Sequence, residues 1–573
     1  MTEPVDSSPT NETSTSQDRS PRIFPPLRTW LFSGIFVLLA LFGQSAIELG
    51  DGPLASVRDI APLLFDGAVG NVMTLIGVFF AFFIPVIWFT LFSGWSIAVR
   101  LLPIACVLSA PAIFFCFFRI VHVDGEMKPI FAYRFAQSAD QQLDALDGGG
   151  AAEGDSTQST EHDFPQFLGP DRNLKLAGPN LASDWNTSPP QEVWRRPIGA
   201  GWSGFVVVGD LAYTMEQRGP SEYVSCYRVA DGEPVWNFKH EARHETVLGY
   251  VGPRSTPLVH DGKVYAVGAT GALVGLDAAT GDVVWRHDLL DEFDTTQAQF
   301  DGMVAWGRAS SPLLYEGKDR ALIILPAGGP TRKESTTLVA YDAQTGEQVW
   351  TGGQQPMSYA SPSLFQLGGE TQIMSVNEST VSGHNPETGK QLWITDWAGD
   401  SSGAATCSQP VDLGDGRILV SKGYGQGARV FAIEKQADGQ YAVQDVWSDG
   451  RLLKTKFTNV AAKDGFIYGL NDGILECVTA ADGERTWRQR GFGHGQLLLV
   501  GDHLLVMTEE GELVLAAANP AAYEEAGRIQ ALESEVSPNW NNLCLTGDLL
   551  LVRNAEQAAC YRLKTSEKSD NDK

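Results

Sequence analysis

Positive charge is scarce in this chain. Lys and Arg number 42 against 69 Asp and Glu, a formal net charge of -27. Such a surface repels phosphate backbones and acidic headgroups, so nucleic acid is not an expected partner and the soluble part has no basic face for acidic lipid. The seven cysteines include no adjacent pair and none at metal-ligand spacing, so no zinc site is written in them. No Gly-x-Ser-x-Gly elbow marks a nucleophile and no Gly-x-x-x-x-Gly-Lys-Ser/Thr loop marks a nucleotide phosphate site. Long apolar runs are also missing from everything beyond residue 122.

What is present is glycine and repetition. A turn glycine stands four residues before a tryptophan at Gly232/Trp236, Gly281/Trp285, Gly346/Trp350, Gly389/Trp393 and Gly483/Trp487. In the fullest copy, Thr256 to Trp285, four short runs rich in Val, Leu and Tyr are separated by Asp-Gly or Thr-Gly breaks. These are the marks of strands joined by tight turns, where glycine supplies the positive φ. Such a four-stranded unit cannot bury both faces alone, and radial repetition of it makes a β-propeller. Fourth-strand markers fall at Trp236, Trp285, Trp350, Trp393, Trp447 and Trp487, and a seventh, without tryptophan, ends near Arg528. Three further strands, at 543–545, 549–553 and 558–563, complete the chain. Their fourth is available at the other end, around Trp194. The fold class is therefore all-β, an eight-bladed propeller closed by both termini, which leaves no open sheet edge between first and last blades. Cys544 and Cys560 fall on the first and third strands of that last blade, where a bridge is conceivable; small buried apolar residues are the simpler reading of the five propeller cysteines.

The apolar runs are confined to the beginning. About three membrane helices are expected, near 27–47, 72–92 and 97–121, each long enough for a hydrocarbon core. Arg19, Arg22 and Arg28 precede the first and Arg100 lies between the second and third. By the excess of basic residues on cytoplasmic loops, the N-terminus is cytoplasmic and the propeller lies in the periplasm or outside, on a multi-pass inner-membrane protein. No ionisable residue sits mid-span, so transport has no support. The expected organisation is a disordered tail at 1–26, a membrane domain at 27–122, a flexible linker at 123–163, the propeller at 164–565 and a disordered tail at 566–573.

Aligning blades by their turns also aligns the eight segments that lead into the innermost strands, and these should converge on one mouth of the axial channel. They contain no carboxylate. The candidate pocket residues are Trp202, Ser203, Arg254, Ser255, Arg308, Ser310, Tyr359, Ser361, Gln409, Lys456, Asn459, His494, Gln496, Trp540 and Asn541. Cations, flat aromatic faces and a belt of hydroxyls and amides suit a small anionic or sugar-like ligand. The plainer alternative is that the belt satisfies backbone groups and channel water. Insertions at 241–251, 290–302 and 330–336 are expected to project from the faces and to offer contact surfaces.

The Leu/Tyr-Asp-x-x-Thr-Gly-x-x-x-Trp pattern of Leu276 to Trp285 and Tyr341 to Trp350 resembles the docking repeat of the pyrroloquinoline quinone (PQQ) propeller superfamily. The resemblance covers about 164–563. It implies that Trp194, Trp236, Trp285, Trp350, Trp393, Trp447 and Trp487 are structural, each capping the next blade near its turn glycine. The opening segment Phe164-Pro165-Gln166-Phe167-Leu168-Gly169-Pro170-Asp171-Arg172 and stretches such as Leu470 to Leu475 and Gly493 to Leu498 are similar to those of membrane-anchored PQQ-like repeat proteins. These are labelled alcohol dehydrogenase-like or as relatives of the propeller lipoprotein of the outer-membrane assembly machine. Superfamily dehydrogenases hold PQQ beneath a vicinal Cys-Cys disulfide, with Glu and Asn on calcium and an Asp as base. This chain has no Cys-Cys pair and no carboxylate in its axial segments. The expectation is thus a non-catalytic protein-binding or envelope-assembly scaffold with no catalytic residues, no metal and no cofactor. Its expected partners are the membrane, other envelope proteins and a small anion or sugar. The alternatives are a quinoprotein oxidoreductase using PQQ with calcium, and a sensor with a ligand in the axial pocket.

Overall fold

In the computed structural model the described residues are 21–565, apart from 52, 55–56, 58–60, 66, 125–126, 147–149, 153–156, 248 and 534–536. The expected C-terminal tail and most of the N-terminal one lie outside them.

Three helices open the chain: α1 (Leu27–Asp51), α2 (Gly67–Phe92) and α3 (Ile97–Phe117). By length and composition each can cross a membrane. Small residues let α1 and α2 touch backbone to backbone. A methyl on Gly43 would lie 2.3 Å from the Gly70 carbonyl oxygen, and one on Gly77 would lie 2.6 Å from that of Phe36. Thr74 Oγ1 donates across the same seam to Ala40 O at 3.2 Å, the small-and-hydroxyl packing of helices that have no hydrophobic drive to associate. The third helix is shorter than expected. From Phe118 the chain turns into a β-hairpin, Phe118–Val123 with Pro129–Tyr133, and Arg134 caps the helix by donating to Phe115 O at 2.8 Å.

The expected free linker is in part fixed. Asp140 is buried and pairs with Arg243 at 2.7 Å, while Arg218 donates to Asp144 O and Asn237 to Leu146 O. Ionic and backbone partners on blade one hold this stretch against the propeller, which composition alone does not reveal.

Eight sheets of four sequential antiparallel strands follow, with one closed across the termini. Gln191–Pro197 pairs with Gln557–Arg562, so that Trp194 lies opposite Cys560. The blades span 206–240, 258–288, 313–352, 363–396, 411–449, 461–489 and 496–530, then 544–562 with 191–197. A bulge beside each fourth-strand tryptophan recurs, as at Gly275/Leu276 and Ala340/Tyr341, and turns the indole toward the next blade. Trp285 Nε1 donates to Ala343 O at 3.0 Å while its ring lies over Gly346, where an added methyl would meet it at 2.6 Å. Trp194, Trp236, Trp350, Trp447 and Trp487 donate likewise to Val229, Ala278, Pro386, Ala480 and Asn519.

Two blades depart from this rule. Trp393 packs on Phe431 of blade five and donates to Gln372 of its own blade at 2.8 Å in place of a carbonyl of the next blade. Blade seven has its bulge between Leu515 and Ala516 with Gly527 opposite Leu515. The degenerate marker is therefore Gly527 rather than Arg528, and Trp185 of the N-terminal segment packs over it. The bridge entertained between Cys544 and Cys560 is absent. Cys544 pairs with Leu551 and Leu551 with Cys560, so a whole strand separates them by about 9–10 Å, beyond disulfide reach.

Candidate functional site

Two mouths of the axial channel are each occupied by part of the chain. At one, the segment 164–176 forms a plug. Phe164 bridges to Val207, and Lys175–Leu176 adds a parallel strand to the inner edge of blade seven. Arg172 donates to Ser311 O and Pro312 O and to Pro362 O, each at 3.0 Å. Its guanidinium is spent on backbone carbonyls, and burial pulls its pKa down to about 9.

The other mouth gathers the segments that lead into the innermost strands. It holds a cavity of about 350 Å³ walled by Trp202, Trp306, Tyr359, Phe457 and Trp540, with Val123, Asp124 and Met127 of the membrane-side hairpin on its rim. The aromatic rings form two groups: Phe457 to Trp540 at 4.4 Å and Trp540 to Trp202 at 4.9 Å, and Trp306 to Tyr359 at 5.0 Å between centroids. His122 of the hairpin stacks on Tyr250. Of the sequence candidates, Trp202, Arg254, Tyr359, Ser361, Gln409, Lys456, Asn459 and Trp540 line this cavity.

Ser203, Ser255, Arg308, Ser310, His494, Gln496 and Asn541 are buried but are not on its wall. Most serve the ring itself. Gly204 N donates to Thr256 Oγ1, Thr256 N to Ser311 Oγ and Ser311 N to Ser361 Oγ, at 3.0, 2.9 and 2.8 Å. Each hydroxyl thus accepts from the preceding blade. Asn459 does the same for Gln409 N, and Asn541 donates to Gly201 O and Ser203 O. The belt is an inter-blade ladder, as buried backbone groups demand. Arg308 lies over the Phe300 ring and donates to the Pro326 and Ala327 carbonyls, so it does not reach ligand space.

The mouth is less positive than its loops suggest. Carboxylates arrive from the turns between second and third strands, which the loop alignment did not include. Asp472 accepts Lys456 at 2.9 Å and Lys454 at 3.3 Å, with His494 Nε2 at 3.8 Å. Burial works to raise its pKa, but Lys456, Lys454 and His494 outweigh burial and hold it far below the usual carboxylate range. Glu509 accepts from Trp540 Nε1 at 2.9 Å and from His494 N at 3.0 Å. Arg254 is the cation left over. Its Nη2 is buried with no hydrogen-bond partner, and burial lowers its pKa to about 10. The Trp306 indole N–H and Gln409 Oε1 are likewise unpartnered.

Two of the three insertions fold back instead of projecting, while residues 331–334 of the third are exposed. Phe300, on the helix Gln297–Met303, packs with Val304, Met357 and Tyr359, and Tyr250 packs with Ala200, Trp202 and Ala555. Both pave the mouth. The sequence pointed to Trp202, Tyr359 and Trp540. Tyr250 lies on the 241–251 insertion, Trp306 on the long connection between blades two and three, and Asp472 and Glu509 on strand 2–3 turns, with no positional signal beyond residue type; Phe457 stands in the aligned segment that also supplied Lys456 and Asn459, where residue type alone did not mark it.

A ring of four-stranded blades docked by indoles, with an aromatic axial mouth, defines the class of PQQ-like repeat propellers. Residues 180–325 and 220–489 match the family described as outer membrane protein assembly factor BamB, and the chain belongs to that family. It is 24% identical over 328 residues to BamB of Shewanella oneidensis, spanning 55% of this chain and 76% of that one. It is 21% identical over 198 residues to the quinoprotein alcohol dehydrogenase PedH of Pseudomonas putida, spanning 33% of this chain and only 30% of that enzyme. Among solved structures, BamB from Moraxella catarrhalis superposes with a TM-score of 0.46 at 15% identity, covering 65% of this chain and all of that one.

Proposed function

We propose that this chain is a membrane-anchored, non-catalytic binding and assembly scaffold of a cell envelope. On this reading its N-terminus is cytoplasmic, α1 to α3 cross the inner membrane and the propeller stands in the periplasm or outside, where it engages other envelope proteins. The observation that carries it is the state of the carboxylates at the aromatic mouth. Asp472 is neutralised by two lysines, Glu509 is committed to Trp540 and His494, and Asp124 on the rim accepts from Lys128 N at 2.9 Å. Calcium needs several oxygen ligands with negative charge, and a dehydrogenase needs a carboxylate to take the substrate proton. Among the described residues no group of three or more His, Cys, Asp and Glu could hold a metal ion, and all seven cysteines are unpaired. The donor set therefore does not fit a calcium-held quinone.

The test is photo-cross-linking in intact cells, with the reactive residue placed at exposed positions of the full chain such as Val247, Val283 and Val446. The scaffold reading predicts discrete adducts with envelope proteins at particular positions. Adducts with lipid alone, or the same weak smear at every position, count against it.

A second reading concerns the aromatic cavity as a sensor pocket, and Arg254 favours it. A guanidinium with Nη1 on Gly252 O at 3.3 Å and Nη2 without a partner, beside flat rings, suits a carboxylate- or phosphate-bearing molecule. Arg254→Ala in the full chain is expected to abolish the thermal shift given by such ligands, whereas Arg308→Ala acts on stability and not on ligand response. A shift that survives in the Arg254 variant removes the pocket from consideration.

A further inference from the structure

The plugged mouth holds a second cavity, of about 650 Å³, that none of the readings above uses. One wall is the plug, through Gln166, Arg172 and Lys175; the others come from the first strands of blades three to six, with Leu314, Leu364, Val411 and Ala462 one from each. A first strand is paired within its blade on one side only, and its second edge faces the axis. Such an edge is a template for another strand.

The chain itself demonstrates the use of these edges. On blade seven, Leu499 N donates to Leu174 O and Gly501 N to Leu176 O, both at 2.9 Å, as Lys175–Leu176 lies parallel to Leu499 and Val500. On blade one Phe164 and Val207 exchange two backbone bonds of 2.8 Å, and on blade two Val259 N donates to Pro165 O at 2.8 Å. Arg172 takes the carbonyls offered by blades three and four. Blades five and six are different. Among the described residues, no segment of the chain pairs with the inner edges of Val411–Gly414 or Ala461–Lys463, and both strands line the cavity.

We propose that this cavity receives an extended polypeptide segment, which adds a strand to the inner edge of blade five or six as Lys175–Leu176 does on blade seven. The proposal rests on the scaffold reading and gives the form of one partner. Main-chain bonds supply affinity in such augmentation, and alternate side chains meet the walls. Here Leu314, Leu364, Val411 and Ala462 give apolar faces between polar lining residues such as Gln166, Asn173 and Asn459, and Leu364 is 37% exposed. Charge favours a peptide over a small anion. Arg172 is spent on carbonyls and Lys463 pairs with Asp502, which leaves Lys175 against Asp171, Asp412 and Asp464 on the lining. A segment alternating apolar residues with a lysine fits that balance.

The test uses the full chain in lipid nanodiscs and a fluorescein-labelled peptide, Thr-Val-Lys-Val-Thr-Val, read by fluorescence anisotropy. Saturable binding is expected. Methylating alternate backbone nitrogens of the peptide should weaken it roughly tenfold or more, the worth of one or two hydrogen bonds. The double variant Leu364→Glu with Ala462→Glu should weaken it by a similar factor, while Val283→Glu on the outer rim of blade two leaves it unchanged. Absence of saturable binding, indifference to methylation, or sensitivity to Val283→Glu in place of the cavity pair overturns the proposal. The methylated peptide needs no protein variant, so a folding defect in the double mutant does not blunt the test. Failure here with discrete envelope adducts still formed in cells removes the cavity and leaves the scaffold reading standing.

Discussion

An indole offers one hydrogen-bond donor and two flat faces, and the junction of blades two and three uses both kinds of contact. Trp285 spends its N–H on Ala343 O and lays its ring on Gly346, whose φ of 75° and lack of Cβ admit the contact. Truncation leaves a cavity and removes one of the two donors to Ala343 O, the other being the Tyr265 hydroxyl at 3.1 Å. Trp285→Ala is therefore expected to cost about 3–5 kcal/mol, measured by denaturant unfolding of the full chain in detergent; a loss under 1 kcal/mol would mean that the indole is not a wedge between blades. This role was legible from spacing alone, because Gly and Trp recur at a fixed interval. The substitute on blade seven was not. Trp185 reaches Gly527 from more than three hundred residues away in sequence, and no local pattern marks a residue that docks from a distant segment.

Between elements, the blades are joined by side chains that reach from one sheet to the turn of the next. Glu222, on the third strand of blade one, is buried and accepts from Ala269 N of blade two at 3.1 Å. Burial pushes its pKa up to about 7, with the Ala269 N–H pulling weakly the other way. The folded state thus holds this proton longer than the unfolded chain, whose carboxyl has the ordinary value of 4.5. Its contribution is fully present below pH 4.5, declines as pH rises and is gone above about 7, a span of roughly 3 kcal/mol. Replacing it by Gln keeps an acceptor and removes the titration. The difference in melting temperature between the Glu222→Gln variant and the parent should therefore grow from pH 4.5 to 7.5 in the variant's favour. A difference constant across that window contradicts a protonated Glu222. The hydroxyl ladder at Thr256, Ser311 and Ser361 belongs to the same scale. The alignment of blades singled out Ser361 among them, but residue type could not separate ligand contact from inter-blade bonding, and Ser361 does both: it accepts from Ser311 N and lines the aromatic cavity. Arg308 fell to the same ambiguity, since a guanidinium satisfies two carbonyls as well as it satisfies an anion.

At the scale of the whole molecule, eight blades, their order and their closure through Trp194 followed from counting repeats, because each blade is a local unit whose turns are written in consecutive residues. The two occupied mouths were beyond that count. A plug and a hairpin are single insertions without repetition, and their positions depend on partners remote in sequence, such as Val207 and Leu499 on blades one and seven and Tyr250 between blades one and two. The same limit hid Asp472 and Glu509, which convert a mouth that looks basic in its loops into one with balanced charge. Under the proposed scaffold function, that balance is what would set this chain apart from a quinoprotein on the same architecture. Its most direct test is to titrate the full chain in detergent with PQQ and excess calcium, following quinone absorbance and the melting temperature, then to add an alcohol and an electron-accepting dye. The account predicts no saturable quinone uptake, an unchanged melting temperature and no dye reduction. Stoichiometric uptake with alcohol-dependent dye reduction would contradict it.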